Sequence, residues 1–397
     1  MNKTSIWTFS FTGYIFMTVV ICAGISAIIP VMPNIMREFG AGPEFLTAAF
    51  VSLLVGRFIA SIFTGYLLLR VKAHQLLFLG FILHSITMYL LMHANSGLEF
   101  ATLRFIEGIF EGIASVVLQD IVIALSRPED RGVKMGYMQS AYAVGFIAGP
   151  LATSLTMQWF GTRSVFALVI FLMLVCLCWL ALIYKELAAS IKSRPPQPIS
   201  FDLEFIKYLP LYGGPILQRV LVVSFSILLP LYLVDKFQFA TYQVAYFYLG
   251  SALITSTTMP LSGRISKLRF ADYVVVGAMI LMGVTTIGMG LSSSRTTFIA
   301  MYFMEIIGFV LMAPNAMKIF ADKIAEHKRR SEIVGTSSSF REIANIIIVF
   351  TVVPLYEFSK VAPWILLGIV CIILAIPYMR TGSRASQCAA DAKAGAS

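Results

Sequence analysis

The sequence predicts an all-α polytopic membrane protein, with twelve transmembrane helices in two six-helix pseudo-repeats and both termini cytoplasmic. Three observations carry this. Of 397 residues, 58% are hydrophobic and only 13% charged, and the mean hydropathy is +0.84, whereas soluble domains carry about a quarter charged residues. Apolar stretches of roughly 18 to 28 residues recur about twelve times, each long enough to cross a hydrocarbon core of about 30 Å. The 30 Lys and Arg residues are also sorted: five (Arg37, Arg163, Lys236, Arg295 and Lys360) fall in odd-numbered loops and four within helices, and the rest fall in even-numbered loops and the termini. The positive-inside rule therefore places both ends in the cytoplasm. The same sorting accounts for the net charge of +10 without a nucleic-acid partner.

The first stretch, 12–33, lacks a small-residue cleavage site and is expected to be a retained helix. It closes on IIPVMPNIMREFG. The second, 45–69, carries Arg57 halfway along and leads into the basic turn GYLLLRVKAH, with Gly65 and Arg70. The third, 74–93, holds His84 and His93, expected to pack or face the surface rather than relay protons. The fourth, 98–125, contains LRFIEGIFEG, which sets Arg104, Glu107 and Glu111 in an oily segment beside Gly108 and Gly112. The fifth, 135–158, follows the loop ALSRPEDRGVKMG and contains GFIAGPLATS. The sixth, 162–184, bears Cys176 and Cys178, which two residues apart face different sides of a helix; the five cysteines show no metal-ligand spacing, and no metal or cofactor is expected.

A polar stretch, KELAASIKSRPPQPISFDLEF, with a Pro-Pro step and mixed charges, follows. It divides the chain into a six-helix bundle (1–184), a cytoplasmic linker (185–207) and a second bundle (208–380). The seventh stretch, 208–234, carries Arg219, and the eighth, 241–266, carries Tyr246 and Tyr248 and runs into GRISKLRF. The ninth, 271–292, is uninterrupted; the tenth, 294–319, holds Tyr302 and Glu305. The eleventh, 333–356, follows the basic loop KIFADKIAEHKRRSEIVG and holds Arg341 and Glu342, and the twelfth spans 361–380. Residues 381–397 lack apolar periodicity and are expected to be a disordered cytoplasmic tail. A short basic turn after the second helix of each half, and a longer basic loop after the fourth, form a weak internal repeat of the kind transporters show.

Four arginines within helices (Arg57, Arg104, Arg219 and Arg341) each cost about 2.5 to 3.5 kcal/mol at the bilayer centre on insertion scales, so they should face the interior and meet partners or a ligand. Their depths suit one cavity between the two halves. The acids at such depth are Glu107, Glu111, Glu305 and Glu342. At about 100° per residue, Glu107, Glu111, Ser115 and Gln119 all fall within about 60° of Arg104, forming one polar stripe. Two readings fit the stripe. One is a structural ion-pair network, with Arg104 neutralised by Glu107 or Glu111. The other is proton coupling: burial and a like-charged neighbour favour a neutral acid and a guanidinium favours the carboxylate, so a glutamate exposed to each side in turn takes up and releases a proton. Glu111, in line with Arg104, is the first choice of carrier.

The sequence resembles the major facilitator superfamily, and within it the twelve-helix, proton-driven drug and metabolite efflux group. GFIAGPLATS is similar to that group's antiporter signature: Gly145, Gly149 and Pro150 match, while Thr153 and Ser154 replace a final glycine pair. Glycines four apart allow close helix approach and the proline bends the helix. Arg104 and Gly108 match the family's helix-four motif, with Glu107 where an amide is usual. GYLLLRVKAH keeps Gly65 and Arg70 of the loop motif but has Leu69 in place of its aspartate, and GRISKLRF also lacks the acid. The chain is thus a divergent member, and gating by that aspartate is not expected.

Four arginines suit a carboxylate or phosphate, and Tyr142, Tyr246, Tyr248 and Tyr302, among many Phe and Met residues, offer an adaptable apolar lining. Together with the resemblance, this predicts a monomeric transporter of the inner or plasma membrane that exports a small organic anion, an amphipathic metabolite such as a siderophore, or a drug, in exchange for protons. The alternatives are proton-coupled uptake of an organic anion and a non-transporting membrane sensor. No phosphate-binding loop, zinc-protease motif or nucleophile triad is present, which argues against an ATP-driven pump or an enzyme.

Overall fold

A computed structural model of the chain describes residues 8–190, 203–239, 241–265 and 271–394, and every regular element among them is helical. In order these are α1 (Phe9–Ile28), α2 (Met32–Glu38), α3 (Pro43–Leu67), α4 (Ala73–Met92), α5 (Gly97–Ala124), α6 (Arg131–Phe160) and α7 (Ser164–Ser190). A 3-10 turn (Leu203–Tyr208) then precedes α8 (Leu209–Phe237), α9 (Thr241–Ser262), α10 (Ala271–Leu291), α11 (Arg295–Ile324), α12 (Arg330–Phe358) and α13 (Ala362–Ala394). Among the described residues, nine of these helices are long and apolar enough to cross a membrane. The long helices outside that set are α5, α6 and α9. Five charges interrupt α5 (Glu99, Arg104, Glu107, Glu111 and Asp120), and Gly, Ser, Thr and Tyr dilute α6 and α9. Exposed Phe63, Leu151, Leu155 and Phe171 lie on outward faces, and Trp159, Phe160 and Phe358 stand exposed at helix ends, as suits a lipid-facing surface with interfacial aromatics.

Local chemistry sets the boundaries. Thr8 caps α1 by accepting from Phe11 N at 3.1 Å. The expected first helix, 12–33, instead stops at Ile28, because Pro30 has no N–H to continue the ladder; a separate short α2 begins with Pro33 in its first turn. Ser96 caps α5 by accepting from Glu99 N at 3.2 Å, and the Glu99 carboxylate accepts from Asn95 N, one residue before the cap, at 3.0 Å, a variant of the capping box. Gln238, at φ 54°, closes α8 in the left-handed region. At the other end of the chain, α13 runs helical through residues 381–394, where the sequence pattern predicts disorder. Alanine-rich ASQCAADAKA has high intrinsic helix propensity without needing an apolar face. Residues 191–202 of the expected linker and 395–397 of the tail lie outside the described residues.

The chain forms two compact units. Unit 1 comprises Met1–Arg127, Ser140–Leu203 and Ile324–Ile346; unit 2 comprises Pro128–Gln139, Glu204–Lys323 and Ile347–Ser397. The start of α12 therefore belongs with α1 to α5, and the start of α6 belongs with α8 to α11.

Candidate functional site

The polar centre of unit 1 is built on a glycine seam between α3 and α5. A Cβ on Gly108 would lie 3.0 Å from the Leu53 carbonyl carbon, one on Gly112 would lie 3.0 Å from the Arg57 carbonyl oxygen, and one on Gly56 would lie 3.2 Å from Ile109 N. Only glycine permits this backbone approach. The seam seats the Arg57 backbone against Gly112, and so delivers the Arg57 side chain to Glu111, one residue earlier.

Arg57 holds two carboxylates. Its Nη1 donates to Glu111 Oε2 at 3.2 Å, and its Nη2 donates to Glu342 Oε1, from α12, at 2.9 Å. Asn345 Nδ2 donates to Glu342 Oε2 at 3.0 Å. All four side chains are buried. With both acids ionised the trio carries a net negative charge away from water, and one proton makes it neutral. Within the stripe, Arg104 is paired with Glu107 (Nη1 to Oε2, 2.5 Å), both fully buried. Arg104 Nε and Nη2 and Glu107 Oε1 have no hydrogen-bond partner among the described residues. Half-buried Arg341 donates from Nη2 to Gln119 Oε1 at 2.9 Å and to Ser338 Oγ at 2.6 Å. The structure thus gathers Arg57, Glu107, Glu111, Arg104, Arg341 and Glu342 in one unit. Glu111, although aligned with Arg104 on α5, takes its cation from α3.

Arg219 and Glu305 belong to unit 2, on α8 and α11. Arg219 is half-buried. Its neighbour Gln218 donates to Gln139 Oε1 at 2.6 Å. Glu305 is buried and has no ion-pair partner among the described residues.

The antiporter-like segment on α6 packs backbone to backbone on α1. A Cβ on Gly145 would meet Cys22 Cβ and the Val19 carbonyl oxygen at 2.6 Å, and one on Gly149 would meet Ala27 N at 2.7 Å. Ser26 Oγ donates to the Gly145 carbonyl at 3.3 Å, and Thr153, in place of a glycine, donates to the Ala27 carbonyl at 2.7 Å. A hydroxyl contact therefore holds the two helices together where the resemblance implies a bare glycine. Pro150 lies within α6, beside this contact.

A second polar feature appears once in each unit. In unit 1, Arg330 at the start of α12 makes a bidentate pair with Asp120 near the end of α5 (Nε to Oδ1 2.7 Å, Nη2 to Oδ2 2.9 Å), and both are buried. In unit 2, Arg131 at the start of α6 pairs with Asp322 near the end of α11, and Lys318 joins that carboxylate at 2.5 Å. Each arginine precedes a glycine by five residues, and each such helix start lies against another glycine. A Cβ on Gly335 would lie 2.9 Å from Gly65 Cα, and one on Gly136 would lie 2.6 Å from the Met259 carbonyl oxygen, with Gly263 pressed on Gly132. Gly65 is thus a packing position, facing Ser331 and Glu332. Arg70 is exposed, with no charge partner among the described residues, and Leu69 beside it is buried. Sequence reasoning missed both Arg–Asp pairs. On the α5 wheel Asp120 falls about 160° from Arg104, off the stripe, and by sequence Arg330 is one of the cytoplasmic loop charges. The shared spacing Arg131 to Gly136 and Arg330 to Gly335 was the available signal.

Residues 14–347 match the family model described as Major Facilitator Superfamily. Among curated proteins, the chain is similar to Multidrug resistance protein 2 of Bacillus subtilis (strain 168), 22% identical over 340 residues and covering 81% of this chain and 82% of that protein. Among solved structures, it resembles a bacterial homologue of the iron transporter ferroportin in an outward-facing state (TM-score 0.75, 12% identity, 94% of this chain and 99% of that one). It also resembles the human organic anion transporter MFSD10 (TETRAN), with a TM-score of 0.69, 15% identity, and coverage of 93% of this chain and 98% of that one.

Proposed function

Since the chain belongs to the Major Facilitator Superfamily, and is accordingly a multi-pass membrane transporter rather than an enzyme, we propose that it exchanges protons for a small organic anion, amphipathic metabolite or drug, moving the substrate outward. In this reading twelve helices span the membrane, both termini are cytoplasmic and the monomer is the working unit. The observation that carries it is the Arg57 trio: one guanidinium held by Glu111 and Glu342 in a buried site.

With Glu111 ionised, its carboxylate accepts from a donor group of the substrate while a neighbouring guanidinium takes the anionic group, to which its planar fork is suited. A proton arriving on Glu111 from outside cancels the carboxylate's hold and releases the substrate there, and loss of that proton to the cytoplasm restores the site. Proton and substrate thus compete for one carboxylate and never travel together, and the exchange needs no ATP. Glu342, kept in place by Asn345, holds Arg57 throughout. Arg341 in unit 1 and Arg219 in unit 2 are each proposed to bind substrate. The two Arg–Asp pairs act as latches that keep each exchanged helix start in its unit and release it once per cycle, a task for which the loop motif of this chain offers no acid. A similar protein is a multidrug resistance protein, and an organic anion transporter shares the fold, in line with this substrate range. The Gly145–Gly149–Pro150 segment favours exchange over proton-coupled uptake, the alternative the same trio would support.

The test is reconstitution in liposomes under an imposed pH gradient, with labelled polycarboxylates compared against cationic dyes. Gradient-driven movement of an anion, lost in Glu111→Gln, is the expected result. Transport of dyes but of no anion overturns the substrate class, and undiminished proton coupling in Glu111→Gln removes the carrier.

A further inference from the structure

A small cleft inside unit 1, between α1, α4, α5 and α7, is lined by two polar side chains, His84 from α4 and Glu111 from α5. His84 is 4% exposed, and its Nε2 has no hydrogen-bond partner among the described residues. An orphaned buried ring nitrogen is destabilising unless something else meets it. Glu111 has two aspects: its Oε2 is held by Arg57, and the same side chain forms part of the cleft wall. The other charge facing the imidazole is Arg104, also from α5, while α1 and α7 contribute Ile21 and Met173, which do not titrate. Gly80 borders the same cleft. It lies mid-helix, lines the cleft, and a Cβ there would find its nearest atoms only at 3.8 Å. No close helix approach requires this glycine.

We propose that His84 is the proton-exchange partner of Glu111, through this cleft. The step is a simple transfer. The O–H bond of protonated Glu111 breaks as an N–H bond forms at His84 Nε2, leaving a carboxylate and an imidazolium; the reverse transfer reloads the acid. The proton thereby reaches Glu111 on the side away from Arg57, so substrate and proton approach the carboxylate from different directions. The inference rests on the reading of Glu111 as proton carrier and adds the route.

The experiment uses the purified full-length protein and protons alone, by pH-jump infrared spectroscopy. Glu111→Gln should delete one protonated-carboxyl band, and in the parent protein the decay of that band after an upward jump reports the transfer. His84→Gln should keep the band and slow its decay at least tenfold. Gly80→Ala, which adds a methyl in ordinary contact with Phe110 and Ile113 at the cleft wall, should slow it several-fold in a protein that melts no lower than the parent, and this arm decides the matter if His84→Gln fails to fold. Parent-like decay in both variants overturns the relay and leaves the carrier standing. If Glu111→Gln deletes no band, the carrier reading fails and the relay fails with it.

Discussion

Breaking the Arg330–Asp120 pair offers the sharpest measurement. Two parallel hydrogen bonds of 2.7 and 2.9 Å join side chains that are each 7% exposed. Unit charges about 4 Å apart interact by about 4 kcal/mol at an effective dielectric of 20, and removing one partner of a buried pair commonly costs about 3 to 5 kcal/mol because the other charge is stranded. Asp120→Asn and Arg330→Gln should therefore each destabilise the protein by about 3 kcal/mol. The double variant, with no stranded charge, should be little worse than either single one, a coupling of about 2 kcal/mol or more. The equivalent cycle on Arg131 and Asp322 should give less, about 1 kcal/mol, since the Asp322 side chain is 33% exposed and solvent screens the pair. Reversible denaturation of purified protein in mixed detergent micelles measures all four corners of each cycle. If the Arg330 and Asp120 effects add to within about 0.5 kcal/mol, the pair is two independent side chains and the latch is wrong.

Other outcomes follow from the same geometry. Glu342→Gln should retain folding but weaken proton-driven transport in vesicles at least tenfold less than Glu111→Gln does, because Glu342 is the carboxylate that stays; equal losses in the two variants would make them interchangeable carriers. Gly108→Leu and Gly112→Leu force apart backbones now in contact, and thermal unfolding should show losses of about 1 to 3 kcal/mol or more; in contrast Gly250→Ala, where a Cβ has nothing within 4 Å, should be neutral or gain about 0.5 to 1 kcal/mol. Thr153→Val removes the hydroxyl bonded to the Ala27 carbonyl at 2.7 Å and should lose about 1 kcal/mol, whereas Ser154→Ala, at an exposed position, should not register in the same melt.

Helix positions were readable because apolar length is a local property, and the α5 stripe was readable because Arg104, Glu107, Glu111 and Gln119 share one helix. The glycines were readable as packing residues for the same reason. What the stripe lacked was its counterpart. The acid that completes Arg57 is 285 residues away, and no periodicity within either segment relates α3 to α12. In pairing terms the wheel misled: it aligned Glu111 with Arg104, while the seam of Gly56, Gly108 and Gly112 supplied a closer cation from another helix. The break after Ile28 needed only Pro30 and Pro33, which apolar length overlooked. Asp120 and Arg330 were hidden differently, since near a helix end an aspartate and an arginine look like ordinary cytoplasmic charges until tertiary structure buries them together.

The exchange of helix starts between units also sets the order in which the molecule is made. Unit 1 is not complete until residue 346 has left the ribosome. At about 5 to 20 residues per second, the interval between synthesis of Arg57 and that of Glu342 is roughly 15 to 60 s. During that wait Arg57 is already in an apolar segment with Glu111 as its local counter-charge, and Asp120 has yet to meet Arg330. The nascent first half is therefore an insertion intermediate with a lone acidic group at the end of α5, and it matures only when a segment from the far end of the chain arrives.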